Sequence, residues 1–281
     1  MIRQKAVTND RHLLAILGLK NPELKEILAN LDKFYSPYIK REKKKDGSIK
    51  RRVICPPKGK LKYIHYLINE KILNTHLLPD YIQGGVKGKD SIRNSKYHKG
   101  KNFHFCLDLK NFYPSVKNTR VNRVFLKLGY HPSVASTLTK LVTHSCKVKD
   151  IELNREVPQG APTSTSISNL VMYKEVDIHI EKVIKDKGIT YTRWIDDLNF
   201  SSQTDFIKEV YEIVQIISTA NFKINRGKTF YKRGKVTITG VDVYQNALVP
   251  PRKLTDKLLE PNRSDKSKAG IQSHINRIKA T

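Results

Sequence analysis

Cysteine, methionine and tryptophan are scarce in these 281 residues, at three, two and one. Cys55, Cys106 and Cys146 form no CxxC pair and have no histidine at zinc spacing. A zinc module and a disulfide framework are therefore excluded, and reduced, buried thiols are expected. Long apolar runs are also missing. No stretch approaches the roughly 20 residues of a membrane span, and MIRQKAVTNDRHLLAILGLK has no secretory apolar segment. A soluble cytoplasmic protein with no membrane partner is expected. Acidic residues are few, 26 against 53 Lys and Arg, which leaves a net charge of +27. The excess is spread along the chain and points to polyanionic partners, nucleic acid first. Structural RNA-binding proteins carry the same excess, so charge alone identifies no enzyme.

Hydrophobic residues make up 38% of the chain, enough for a packed core. Apolar spacing predicts helices over 11–32, with Pro22 near the start of the second. Asp46-Gly47 between Lys-rich arms reads as a hairpin turn. After Pro56-Pro57, Leu61, Ile64, Leu67, Ile68 and Ile72 share a helical face. YIQGGVKGKD (81–90) is a Gly/Lys loop without P-loop spacing. FHFCLDL (103–109) alternates as a strand ended by Pro114. Helices are expected over 119–129, 132–144 and about 166–187, the last stopped by Gly188. Two β-rich arms flank Asp196-Asp197. Thr204 or Asp205 caps the next helix, and VTITGVDV (236–243) reads as one more strand. From residue 103 the order is that of a split βαβ, ferredoxin-like unit.

Nucleotidyl transfer uses two divalent cations about 4 Å apart, held by carboxylates on rigid elements. Asp108 lies at the end of a hydrophobic strand and Asp196-Asp197 at a hairpin tip. On neighbouring strands the three would converge. An Asp pair in a turn is more often turn chemistry alone, so placement must be weighed with the motifs around it. Asp177, Glu181 and Lys185, at helical spacing, read as a solvated ion-pair stripe.

Six segments in order over about 50–255 resemble reverse transcriptases, and within them the bacterial retron group. FCLDLKNFYPSV resembles the first palm motif, VPQGAPTSTSISN the second (PQGxPxSPxxSN) and YTRWIDDLNFSS the third ([YF]xDD within YxRYADDLxFS). NFKINRGKTF resembles the lysine motif that follows. Asn94-Ser95-Lys96-Tyr97-His98 resembles the retron NAxxH element, and VTITG its VTG element. Trp194, Thr165 and Ser95 stand where the family usually has Tyr or Phe, Pro and Ala, and none of these departures removes a ligand.

The resemblance implies an α+β right-hand polymerase fold: fingers, a ferredoxin-like βαββαβ palm and a small helical thumb. N-terminal helices and fingers would occupy 1–100 and the palm 101–245, with fingers inserted over about 119–160. A short thumb would follow over 246–281. Asp108, Asp196, Asp197 and the Leu109 carbonyl would hold two Mg2+ ions, with Mn2+ as a substitute. Arg52, helped by Lys50 or Arg51, would grip the dNTP triphosphate, or these cations line a solvated hairpin. Gln159 would line the nucleotide pocket, and Lys228 would protonate pyrophosphate. Tyr113 would be the steric gate against a ribose 2′-OH, or a core aromatic. Asn94 and His98, with Thr239 and Gly240, would contact RNA, or Asn94 and His98 cap and pack locally.

The implied reaction is RNA-templated DNA synthesis on a cognate structured noncoding RNA. It would be primed from an internal 2′-OH and yield branched RNA–DNA in antiphage defence, often beside an effector protein. No integral RNase H domain is expected, so template removal would fall to another enzyme. An intron-type or diversity-generating reverse transcriptase is one alternative. A non-catalytic RNA-binding scaffold of polymerase fold is another.

Overall fold

The computed structural model describes residues 6–43, 47–152 and 154–281. Its strands, in chain order, are β1 (Tyr38–Lys43), β2 (Ile49–Ile54), β3 (Phe103–Asp108), β4 (Lys147–Val148), β5 (Ile151–Glu152), β6 (Thr190–Trp194), β7 (Asp197–Ser202), β8 (Phe230–Arg233), β9 (Val236–Ile238), β10 (Val241–Val243) and β11 (Leu248–Val249). Internal contacts divide the chain into two units. One is Met1–Leu78 with Asn111–Glu175, the other Pro79–Lys110 with Val176–Thr281.

The first unit is mainly helical. Helix Asp10–Leu17 starts where Asn9 Oδ1 accepts from the His12 N–H at 2.8 Å and stops at Gly18, whose φ is 62°. Pro22 and Pro132 sit in the first turns of Asn21–Ala29 and Pro132–Val142, where a missing N–H costs nothing. Leu61, Ile64 and Ile68 of helix Gly59–Lys71 are buried, as their spacing predicts, and Leu67 is half-buried at the edge of that face. β1 and β2 pair antiparallel, with Lys40 opposite Arg52. Asp46 of the expected turn lies outside the described residues. β4 and β5 form a small hairpin that the sequence reading did not anticipate.

The second unit is built on a four-stranded antiparallel sheet of order β6-β7-β3-β8. Counted from β3, that is the expected ferredoxin-like order 2-3-1-4. Its fourth strand, however, is β8, which the sequence reading did not mark. Residues 236–243, read as that last strand, lie in a separate sheet of order β11-β10-β9. One face stacks Phe105, Phe200 and Tyr191. Cys106, on the other face of β3, joins Ile92, Val236, Ile238, Val241 and Val243 in a second buried cluster. Leu248 of β11 and Ile278 of the C-terminal helix Asp265–Lys279 close it.

Four sequence expectations are corrected. β3 ends at Asp108, not at Pro114, which lies inside the short helix Phe112–Ser115. Residues 236–243 are two antiparallel strands, β9 and β10, turning at Thr239-Gly240 with φ of 44° and 79°. Two positive φ values match the right-handed twist of a hairpin. The helix expected over 166–187 starts at Ser164, passes through a π-helical turn at Tyr173–Asp177 and ends at Ile184. That turn adds one residue and rotates the helix phase by about 100°. Asp177, the last residue of that turn, is buried and not part of a solvated stripe.

Candidate active site

The two-residue loop Ile195-Asp196 joins β6 to β7, with Trp194 opposite Asp197. In the β3–β7 pairing Asp108 stands directly opposite Asp197. The Leu109 N–H donates to the Asp196 carbonyl at 3.0 Å, which ties the hairpin tip to the end of β3. Three carboxylates from two adjacent central strands are thereby brought to one end of the sheet, as the motif spacing predicts.

This tip is held against its own preference. Ile195 has φ of 61°, a region that β-branched residues rarely enter and that costs about 1–3 kcal/mol. Arg193 supplies one restraint. Its guanidinium donates to the Ile195 carbonyl at 3.2 Å and forks onto Asp177 at 2.8–3.1 Å. Both residues are completely buried, and Tyr191 donates to Asp177 at 2.9 Å. The Tyr81–Gly84 segment supplies another. The N–H groups of Gln83 and Gly84 donate to the Arg193 carbonyl, and the Arg193 N–H donates to Tyr81. A Cβ on Gly84 would stand 2.6 Å from the Ile195 nitrogen, so only glycine fits there.

Asp108 is further held by residues 225–228. Asn225 Nδ2 donates to its Oδ2 at 2.9 Å, and Lys228 Nζ lies 2.7 Å from its Oδ1. The Asn225 N–H also donates to the Asp108 carbonyl at 2.8 Å. Lys228 is raised in pKa by that hydrogen bond, so it is an ammonium at neutral pH. Asp197 is pushed up to about 7, first by burial, then by the charges of Asp196 and Asp108. An all-oxygen carboxylate set with negative charge in excess suits a hard divalent cation. As the side chains stand, no group of three His, Cys, Asp or Glu among the described residues is gathered tightly enough to hold an ion. Asp108 and Asp197 are in direct contact, and Asp196 adds its charge from the next position.

The expected nucleotide contacts other than Lys228 lie in the first unit. Arg52 is half-buried on β2 and pairs with Glu42 at 3.2 Å, while Lys50 is exposed. The Gln159 carbonyl accepts from the Cys55 N–H at 2.7 Å. Gly160, at φ of 104°, leaves no room for a Cβ beside Ile54. Tyr113 is half-buried, and its hydroxyl hydrogen-bonds Thr165 Oγ1 at 3.0 Å.

Asn94 and His98 differ from the expectation of direct RNA contact: both are completely buried. His98 shares 2.7 Å hydrogen bonds with Ser201 through Nδ1 and with Thr192 through Nε2. Burial depresses its pKa to about 3, so it is neutral. Asn94 Nδ2 donates to Thr239 Oγ1 at 3.2 Å, and Ser95 donates to the Ile238 carbonyl at 2.8 Å. The local-packing alternative is the one these bonds support. Gly240 is exposed and Thr239 half-buried, so their turn can still meet a ligand. Sequence reasoning missed Asn225, Gly84 and the Arg193–Asp177 pair as parts of this site. Asn225 stood within the quoted NFKINRGK segment, three residues before Lys228.

A sheet of this order, with carboxylates facing each other across its two central strands, is the palm of a right-hand polymerase. A family model described as reverse transcriptase (RNA-dependent DNA polymerase) matches residues 42–243, and the chain belongs to that family. It is 32% identical to the retron Se72 reverse transcriptase of Salmonella heidelberg, over 80% of this chain and 56% of the relative. It is also 32% identical to the retron Ec86 enzyme of Escherichia coli, over 72% and 61%, and 31% identical to the retron Mx65 enzyme of Myxococcus xanthus, over 71% and 49%. The chain thus spans about half to three fifths of the length of these curated relatives. Among solved structures, apo telomerase from Candida tropicalis, truncated from the C-terminal domain, aligns with TM-score 0.53 and 15% identity. It covers 78% of this chain and 55% of its own. Candida albicans telomerase with a TWJ fragment of telomeric RNA aligns with TM-score 0.57 and 13% identity, over 90% and 57%. At such identity these two support the fold alone. Among the described residues no helix is long and apolar enough to cross a membrane.

Proposed function

We propose that this chain is a retron-type RNA-directed DNA polymerase, with Asp108, Asp196 and Asp197 as its catalytic carboxylates. The observation that carries the reading is the register pairing of Asp108 with Asp197, with Asp196 at the adjoining hairpin tip. Two Mg2+ ions, or Mn2+, held by these residues and the Leu109 carbonyl would activate the primer hydroxyl and neutralise the leaving pyrophosphate. The protein's own part is to fix the carboxylates. The Leu109 N–H and Arg193 restrain the tip, and Asn225 and Lys228 orient Asp108. Lys228 is a protonated donor within reach of the same carboxylate, so it suits pyrophosphate protonation. Arg52 and Lys50 would bind triphosphate oxygens, with Arg52 released from Glu42, and Gln159 and Tyr113 would border the sugar.

The partners in this reading are dNTPs, a cognate structured noncoding RNA with its DNA product, and an effector protein in cytoplasmic antiphage defence. Fingers would occupy 1–100 and about 119–160, the palm 101–245 and the thumb 246–281. Retron character rests on the relatives and on the turn at Thr239-Gly240. The test is extension of a DNA primer on an RNA template by the purified chain with dNTPs and Mg2+. Incorporation by wild type and its loss in Asp197→Asn are expected. Equal extension by both overturns the carboxylate assignment. On the cognate RNA, a DNA product with no attached RNA nucleotide overturns 2′-OH priming and leaves the polymerase reading intact.

A further inference from the structure

Tyr113 lies in the short helix Phe112–Ser115, entered through Asn111 at φ of 51°. Its ring tilts against Phe112, 5.4 Å between centroids, which holds one side of it. Its hydroxyl is 3.0 Å from Thr165 Oγ1, fifty-two residues away in sequence. Thr165 is the second residue of helix Ser164–Met172.

The start of that helix is pinned by three consecutive hydroxyls that reach three different places. Thr163 Oγ1 hydrogen-bonds His65 Nδ1 at 2.8 Å, Ser164 Oγ donates to the Pro158 carbonyl at 2.6 Å, and Thr165 meets Tyr113. Burial lowers the His65 pKa to about 4, so Thr163 faces a neutral ring, not an imidazolium whose charge comes and goes. Thr165 is therefore set on a rigid base directly after the Gln159-Gly160 loop.

We infer that Thr165 is a positioning residue for nucleotide sugar selection: through its hydroxyl it holds the Tyr113 ring in the orientation that rejects a ribose 2′-OH. This rests on the reading of Tyr113 as the gate. A steric gate works only as well as its ring is held, because a ring free to rotate can yield to one extra oxygen. In the motif that this segment resembles, proline stands at this position. Proline offers no hydroxyl, so this chain carries a restraint that the common pattern lacks.

The test is the ratio of kcat/KM for dNTP to that for rNTP on a generic RNA template. It compares the full-length wild type with Thr165→Val, Thr165→Ser, Thr165→Pro, Tyr113→Phe, Tyr113→Ala and the double variant Thr165→Val/Tyr113→Phe. One neutral hydrogen bond predicts that Thr165→Val and Tyr113→Phe each lower discrimination by about threefold to tenfold. The double variant should fall no further than either single one, because both remove the same bond. Thr165→Ser should keep near wild-type discrimination, Thr165→Pro should match valine, and Tyr113→Ala should lose far more. Unchanged discrimination in Thr165→Val and Tyr113→Phe, with a large loss in Tyr113→Ala, overturns the role of Thr165 and leaves the gate in place. Unchanged discrimination in Tyr113→Ala overturns the gate itself. An equal fall for both nucleotides in Thr165→Val marks a purely structural contact and also overturns the inference. If Thr165→Val fails to fold, Tyr113→Phe decides alone, since it removes one oxygen from a half-buried ring.

Discussion

Asp108 and Asp197 face each other across β3 and β7, one residue from the strained Ile195-Asp196 tip. Two like charges at this separation are unfavourable unless a proton or a cation lies between them. The sheet thus holds an arrangement whose stability depends on what binds there.

Replacing Asp196 or Asp197 by Asn should abolish dNTP incorporation, while RNA affinity falls by less than about threefold, since basic surface supplies the phosphate contacts. Primer extension and a filter-binding titration on the same preparation check both halves. Wild-type-like extension would remove these residues from the metal site.

The Asp108–Asp197 pair should also make metal-free stability depend on pH. The native state holds a proton up to about 7 that the unfolded chain releases near 3.8. Between those values the native state binds more protons, so stability falls as pH rises through the window. Urea unfolding with a chelator should give a lower midpoint at pH 8 than at pH 5, and Mg2+ should reverse much of the loss at pH 8. Asp197→Asn should flatten the trend. An unchanged slope in that variant would place the proton elsewhere.

Gly84→Ala should damage catalysis without touching a catalytic group. The added Cβ would meet the Ile195 nitrogen at 2.6 Å and the Trp194 carbonyl carbon at 2.8 Å, backbone atoms with no side-chain freedom to yield. A displacement of the tip by about 1 Å predicts a loss on the order of 10²-fold in kcat. RNA binding and far-UV circular dichroism should stay near wild type. Full activity in this variant would mean that the loop moves aside freely.

Breaking the Arg193–Asp177 pair should cost stability as well as activity. Removing one member of a buried ion pair costs about 3–5 kcal/mol, because the other is left uncompensated. Asp177→Asn and Arg193→Met should each show that loss in urea unfolding. The apolar double replacement Arg193→Met/Asp177→Leu should recover much of the stability but not the activity, since the Ile195 carbonyl still lacks its donor. Recovery of both would reduce the pair to a packing role.

Three strands of the sheet and its carboxylates were legible in the sequence, because β3 alternates with period two and the arms around Asp196-Asp197 are β-rich and sit within recognisable motifs. The fourth strand, β8, was not. Nor was what joins those elements. Lys228 meets Asp108 from 120 residues away, a partnership that no local pattern encodes. Asp177 was misplaced because its helical spacing with Glu181 and Lys185 says which residues share a face and not how deep that face lies. Its partners Tyr191 and Arg193 come from a strand that local spacing does not reveal. The β9–β10 turn was hidden in a β-branched run, since threonine rarely takes a positive φ. Asn94 and His98 were ambiguous because neutral polar side chains serve a buried network and an RNA edge equally well. Only their depth separates the two.

Asn94, Ser95 and Ser91 all bond to the β9–β10 turn: Asn94 through Thr239 Oγ1, Ser95 through the Ile238 carbonyl, and Ser91 by accepting from Thr239. The two segments that resemble retron elements, more than a hundred residues apart in sequence, therefore form one mechanical part. A chimera that transplants either segment alone from a relative would import half of a joint. Exchange between relatives should succeed only when both halves travel together.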